Sequence, residues 1–354
     1  MSNLSFRQQI FLLLAEKIDQ ERSIQSLYHI MTGKKSSQTI QDIKWYRLTN
    51  YFYIFPYWKE SDFMKEAEEL LRNHFFSTRD NRVCITEKGR RQNAVFLAGY
   101  EWPLLFNGWQ YGRSGPVFWK RLALYVQCIS HSLAGNRTFL PVFEDPGVQQ
   151  WLKTVWPKNK NEKLAAAEEM FRELHNCLQW LSPLDAVLIT YRLSGSGYTG
   201  LTFQQLTLLV QKDTDECYFR FQAAVHYLLE QAGYSKQLNR IAADLVQTSM
   251  LTNTTKKTLR YLNQNYSLYD IAFHRKLKTS TIEDHIVEIA SEQADFPLEQ
   301  YVSSQNQQLI LYHSRRMQTM RLKAIKEAVQ EEDIDYFSIR LTLAYYGGHH
   351  GNTR

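Results

Sequence analysis

The sequence predicts a mainly α, multi-domain helical protein, and three observations carry that reading. Apolar residues recur at three- and four-residue steps over most of the chain, as amphipathic helices require. One pair of short β-like runs, His74 to Ser77 and Arg82 to Ile85, breaks the pattern. The length of 354 residues exceeds the roughly 250 at which a single hydrophobic core stops growing, so more than one core is expected.

Composition bounds the function classes. A hydrophobic fraction of 44% and a charged fraction of 22%, with only 8 prolines and 15 glycines, fit a globular chain and exclude a low-complexity one. The longest apolar run, Ile10 to Ala15, is far shorter than the roughly 20 residues of a membrane helix. No membrane partner is expected, and the expected location is the cytoplasm, with nucleoid association allowed. The four cysteines, Cys84, Cys128, Cys177 and Cys217, lie too far apart for a zinc site or a disulfide framework and read as reduced, buried thiols. A formal charge of +6 permits a nucleic-acid partner without demanding one. The excess sits toward the N-terminus, where residues 1–92 carry 15 basic against 11 acidic side chains, while residues 251–354 are close to balanced. The aromatic residues, 14% of the chain, mostly fall on helical patterns and read as core.

Taken in order, Phe6, Ile10, Leu13, Leu14 and Ile18 mark a first helix. A second runs from a Ser23 cap to Met31 and stops at Gly33, and a third starts near Thr39 and ends before Pro56. A fourth opens at Ser61. The two β-like runs follow, around a turn of Arg79, Asp80 and Asn81, and Thr86 caps the next helix. Helices followed by a small hairpin and an ITEKGR ending resemble the winged-helix family, over residues 1–92. The resemblance implies that the hairpin is a wing. Its phosphate-facing cations are then Arg79 and Arg82 at the tip, with Lys88, Arg90 and Arg91 beside it. A solvated charged turn is the bland alternative. Glu66, Glu68 and Glu69 make the preceding helix a poor reader of a major groove.

Residues 93–250 read as a helical middle domain, with breaks at Pro141 to Gly147 and an exposed connection at Lys158 to Lys163. Within it, residues 181–230 show a capped helix, a glycine-rich turn, a helix from Thr202 and a long helix from near Asp213. This string resembles the helix-turn-helix of the fourth region of sigma factors. Gly195, Gly197 and Gly200 satisfy a dinucleotide-binding pattern, but the chain continues helically where a second strand is required. TGKKSS (Thr32 to Ser37) has Tyr28 and Lys35 where a phosphate loop needs Gly and Ser/Thr. No metal or cofactor site is expected. His349 and His350 fall in a glycine-flanked tail, residues 346–354, read as flexible, and Glu331, Glu332, Asp333 and Asp335 favour the dipole of the last helix.

Residues 251–345 form the C-terminal domain. Leu259 and Leu262 mark one helix and Ser267 caps a second through Ile271 and Ala272. Thr279 or Ser280 caps a third, with Glu283 in a capping-box position and Ile282, Ile286 and Ile289 facing inward. SLYDIAFHRKLKTSTIEDHIVEIA closely resembles the helix-turn-helix domain at the C-terminus of bacterial RecQ-type DNA helicases, and IKEAVQEEDIDYFSIRLTLA extends the likeness. Over its whole length the chain looks like the YpbB family of Firmicutes. That family implies a similarly sized protein encoded beside a RecQ-type helicase that lacks this domain, hence an accessory role. DNA contact is expected at the start of the third helix, through Lys276, Lys278, Thr279, Ser280 and Thr281, with His285 as an addition. Glu283, Asp284 and Glu288 would oppose a deeper approach to phosphates. A unit that binds protein, or only packs, is equally open.

The leading expectation is a non-catalytic DNA-binding accessory protein of a RecQ-type helicase, acting in DNA repair or recombination. A helix-turn-helix transcription regulator is the alternative. A nucleic-acid enzyme whose site assembles only in space is a third class.

Overall fold

The computed structural model describes residues 4–245 and 250–349. Among them are 19 α-helices and one two-stranded hairpin. In chain order these are α1 (Phe6–Lys17), α2 (Ile24–Thr32), α3 (Ser37–Trp45), α4 (Glu60–Arg72), β1 (Phe76–Arg79), β2 (Arg82–Ile85), α5 (Glu87–Gly99), α6 (Gly108–Tyr111), α7 (Gly115–Leu133) and α8 (Pro146–Val155). They continue as α9 (Lys160–Leu178), α10 (Pro183–Thr190), α11 (Phe203–Val210), α12 (Thr214–Gln231), α13 (Lys236–Ala242), α14 (Asn253–Leu262) and α15 (Leu268–Arg275). The last four are α16 (Thr279–Glu292), α17 (Ser304–Met317), α18 (Leu322–Val329) and α19 (Tyr336–His349). No described helix is long and apolar enough to cross a membrane.

The chain divides into two compact units, each discontinuous in sequence. One comprises Met1–Phe11, Asn50–Tyr57 and Arg91–Thr248, and the other Leu12–Thr49, Trp58–Arg90 and Ser249–Arg354. This differs from the expected succession of segments ending at 92, 250 and 345, because the N-terminal helices and the C-terminal domain bury their apolar faces together. Trp45 of α3 joins Ile271, Ile282, Ile286, Ile289 and Ile339 in one core. Each of those isoleucines is fully buried, worth about 1.5–3 kcal/mol apiece relative to exposure. Polar contacts reinforce the join. Thr319 Oγ1 and the Met320 N–H donate to Glu21 at 2.6 and 3.1 Å, and Lys44 pairs with Glu292 at 2.8 Å.

In the same unit, the hairpin pairs Phe76 with Ile85 and Arg79 with Arg82. Asp80 and Asn81 alone make its turn, with φ of 49° and 60°, a left-handed pair that Asp and Asn tolerate best after Gly. The strand begins at Phe76, two residues later than expected. The helix α3 starts at Ser37, two residues before the expected Thr39, and Ser36 caps it, its hydroxyl accepting from the Thr39 N–H at 3.2 Å. The helix α19 continues through residues 346–349, where a flexible tail was expected. Gly348 permits this: a Cβ there would stand 2.4 Å from the carbonyl oxygen of Ser291. His350 and the remaining tail residues lie outside the described ones.

The other unit is a helical bundle around Phe118, Leu122, Tyr125, Leu188, Leu206 and Leu228. Its centre holds one buried ion pair. Arg220 of α12 meets Asp185 of α10 at 2.7 and 3.1 Å, and also donates to Ser182 Oγ and the Glu101 carbonyl, so every strong demand of the two charges is met. Local capping places α10, α11 and α12 where the sequence puts them. Ser182 and Asp213 cap α10 and α12, and Thr202 with Gln205 closes a capping box on α11. The residues before Gly195, Gly197 and Gly200 are helical, in α10, so those glycines open no βαβ unit.

Candidate nucleic-acid interface

The helices α14, α15 and α16 form the C-terminal helix-turn-helix. Ser267 opens α15 with a capping box closed by Asp270, and the residue after α15, Lys276, adopts a left-handed conformation that turns the chain into α16. Lys278, with no side-chain hydrogen bond of its own, occupies the cap position of α16, so Thr279 is the first helical residue and the expected Thr279 or Ser280 cap is corrected. Lys276, Lys278 and Ser280 are exposed, and Thr279 and Thr281 half-buried, at the mouth of this turn.

His285 does not belong with them. It is buried, and its Nδ1 lies 2.8 Å from Thr258 Oγ1 and 3.3 Å from Arg275. Burial, followed by the neighbouring Arg275 charge, depresses its pKa, so it is a neutral core histidine rather than a phosphate contact. Two of the three acids expected to repel DNA, Glu288 and Asp284, are also engaged. Glu288 is buried and accepts from the Thr252 N–H at 2.5 Å and the Thr255 hydroxyl at 2.6 Å. Asp284 is paired with Arg340. The cost to an approaching phosphate is therefore smaller than the sequence suggests.

Two further cations escaped the sequence reading. Lys257 and Arg260, exposed and three residues apart on α14, line a cavity of about 530 Å³ with Tyr261 and His274. The His274 ring lies nearly parallel to Tyr261, at 11° and 6.1 Å between centroids. The signal was present in KKTLRY, whose spacing puts both cations on one helix face.

At the hairpin, the five expected cations separate into different roles. Arg79 and Arg82 stand opposite each other at the tip and make no ion pair among the described residues. Like charges so placed repel, and an anion would relieve them. Arg90, by contrast, pairs with Glu16 at 3.2 Å and Asp19 at 2.5 Å, while Asp19 also accepts from the Ile85 N–H. It ties the start of α5 to the end of α1 and the residues after it, so two carboxylates already offset the Arg90 charge. Lys88 donates to the Asn73 carbonyl at 2.8 Å and covers the Phe75 ring. Arg91 is exposed.

Comparison with known proteins agrees with this geometry. A family model described as a helix-turn-helix domain matches residues 254–343, which spans α14 to α19. Protein YpbB of Bacillus subtilis (strain 168) is 31% identical over 331 residues, covering 92% of this chain and 94% of that protein. No solved structure gives a significant match. With that identity extending through both units, the chain belongs to the YpbB family.

Proposed function

We propose that this protein is a non-catalytic DNA-binding accessory factor that works with a RecQ-type helicase in DNA repair or recombination. The observation that carries the DNA part is the helix-turn-helix with Lys276, Lys278 and Ser280 exposed at the start of its third helix and Lys257 and Arg260 exposed on its first. Backbone contact fits this unit better than base reading. The third helix, TSTIEDHIVEIASE, contains no Arg, Lys, Asn or Gln, the side chains that make bidentate contacts to guanine or adenine. A structure-directed or weakly selective binder is therefore favoured over an operator-specific regulator.

The helicase part rests on the sequence resemblance and on an exposed aromatic pair. Tyr269 and Phe273, one turn apart on α15, are 77% and 81% exposed, an arrangement suited to a partner's apolar pocket. The test has two arms. The purified chain binds duplex DNA at low salt without ATP, and it retains the RecQ-type helicase of its own organism on a column. Tyr269→Ala with Phe273→Ala abolishes helicase retention and leaves duplex affinity within about twofold. A chain that binds neither DNA nor helicase overturns the proposal. A common high-affinity sequence from a genomic-fragment selection overturns the preference for weak selectivity.

A further inference from the structure

The unit containing α7 to α12 carries a second basic site that the duplex interface does not use. Where the C-terminal ends of α7 and α8 meet the start of α9 lies a cleft of about 800 Å³. Five cations line it, Arg137, Lys153, Lys158, Lys160 and Lys163, and no acidic residue does. None of the five makes an ion pair among the described residues. Elsewhere in this unit cations do find carboxylates: Lys120 meets Asp145, Arg121 meets Asp244, Lys236 meets Glu169 and Arg220 meets Asp185. The acid nearest in sequence, Glu162, is engaged locally, accepting from the Lys158 N–H at 2.8 Å and the Asn159 amide at 2.7 Å. Five like charges left unpaired in one concavity raise its affinity for a polyanion.

Two aromatic residues narrow the choice of polyanion. Trp156 and Phe139 both line the cleft. Trp156 is half-buried, set edge-on to Tyr125 at 6.2 Å, with Lys163 Nζ 5.5 Å from its ring centroid. Phe139 is stacked on His131 at 4.1 Å. An acidic peptide would use the cations and leave these rings idle. A duplex keeps its bases paired and stacked inside. A single strand offers phosphodiesters to the lysines and an unstacked base to an aromatic ring, the combination found where single-stranded nucleic acid is bound. We infer that this cleft binds single-stranded nucleic acid, with its lysines on successive phosphodiesters and a base against Trp156. The inference stands apart from the duplex interface and from any helicase partner.

Fluorescence anisotropy with the full chain and a 20-residue oligothymidylate, over a salt series, tests it. Lys153→Ala, Lys158→Ala and Lys160→Ala together remove three exposed, unpaired charges. They weaken oligothymidylate binding at least tenfold at 100 mM salt and make log K against log[salt] shallower by about two, at roughly 0.7 per contact. Binding to a 20-base-pair duplex stays within about twofold. With the unaltered chain, an abasic oligomer of equal length binds several-fold more weakly, and polyglutamate does not compete at equal charge. Unchanged oligothymidylate affinity and slope in the triple variant overturns the inference. So does equal affinity for the abasic oligomer, effective competition by polyglutamate, or parallel loss of duplex binding; in the first two of these, duplex binding that persists leaves the proposed function intact.

Discussion

Neutralising the hairpin tip separates phosphate contact from structural support. Arg79 and Arg82 face each other across a two-residue turn and are unpaired among the described residues, so each is free to displace one condensed counterion from a duplex phosphate. At about 0.9 per contact, Arg79→Ala with Arg82→Ala lowers the slope of log K against log[salt] by about 1.8. Over a fourfold rise in salt the unaltered protein then loses about tenfold more affinity than the variant. Arg90→Ala gives the opposite signature. Its side chain is 44% exposed and held by Glu16 and Asp19, so its loss lowers stability by at most about 1 kcal/mol and leaves the salt slope alone. Duplex anisotropy from 50 to 200 mM salt, with urea melts of each variant, measures both quantities. A double tip variant with the slope of the unaltered protein, or an Arg90→Ala variant whose slope drops by about 0.9, refutes the division.

Two predictions concern the bundle around α12. His226 is fully buried, accepts from the Asn107 N–H at 3.3 Å, and is pushed by burial down to about 3, so in the folded state it stays neutral while the unfolded chain takes up a proton below its ordinary 6.5. Its contribution is therefore intact above pH 6.5 and lost as pH falls from 6.5 toward 3. Between pH 7 and pH 5 the protein loses about 2 kcal/mol more than His226→Gln, and identical pH dependence of the two in urea unfolding contradicts this. Arg220→Met strands the Asp185 carboxylate in the core and costs about 3–5 kcal/mol, whereas adding Asp185→Leu restores most of it; a double variant no more stable than the single one shows that the pair is not the source of the loss.

What the sequence determined by itself is local. Ser182, Thr202, Asp213 and Ser267 each satisfy backbone N–H groups within three residues of themselves, so the helices they open were legible without knowledge of the rest of the chain. The same holds for the Asp80–Asn81 turn, whose left-handed pair sets the hairpin and places Arg79 opposite Arg82. The tertiary structure decided everything that depends on burial and on partners distant in sequence. Glu21 meets Thr319 across 298 residues, which joins the N-terminal helices to the C-terminal domain in one unit. His285 and Glu288 read as surface groups on a helix until the packing of α14 against α16 encloses them. Arg90 looked like its neighbours Arg79 and Arg82 and differs only because Glu16 and Asp19, more than 70 residues earlier, neutralise it. The Lys158 to Lys163 segment looked like a solvated connection, and it became one wall of a cleft only when α7 and α8 brought Arg137 and Lys153 beside it. A charge's availability to a ligand depends on which opposite charges the fold brings within a few ångströms, and that distance is not written in any local pattern of residues.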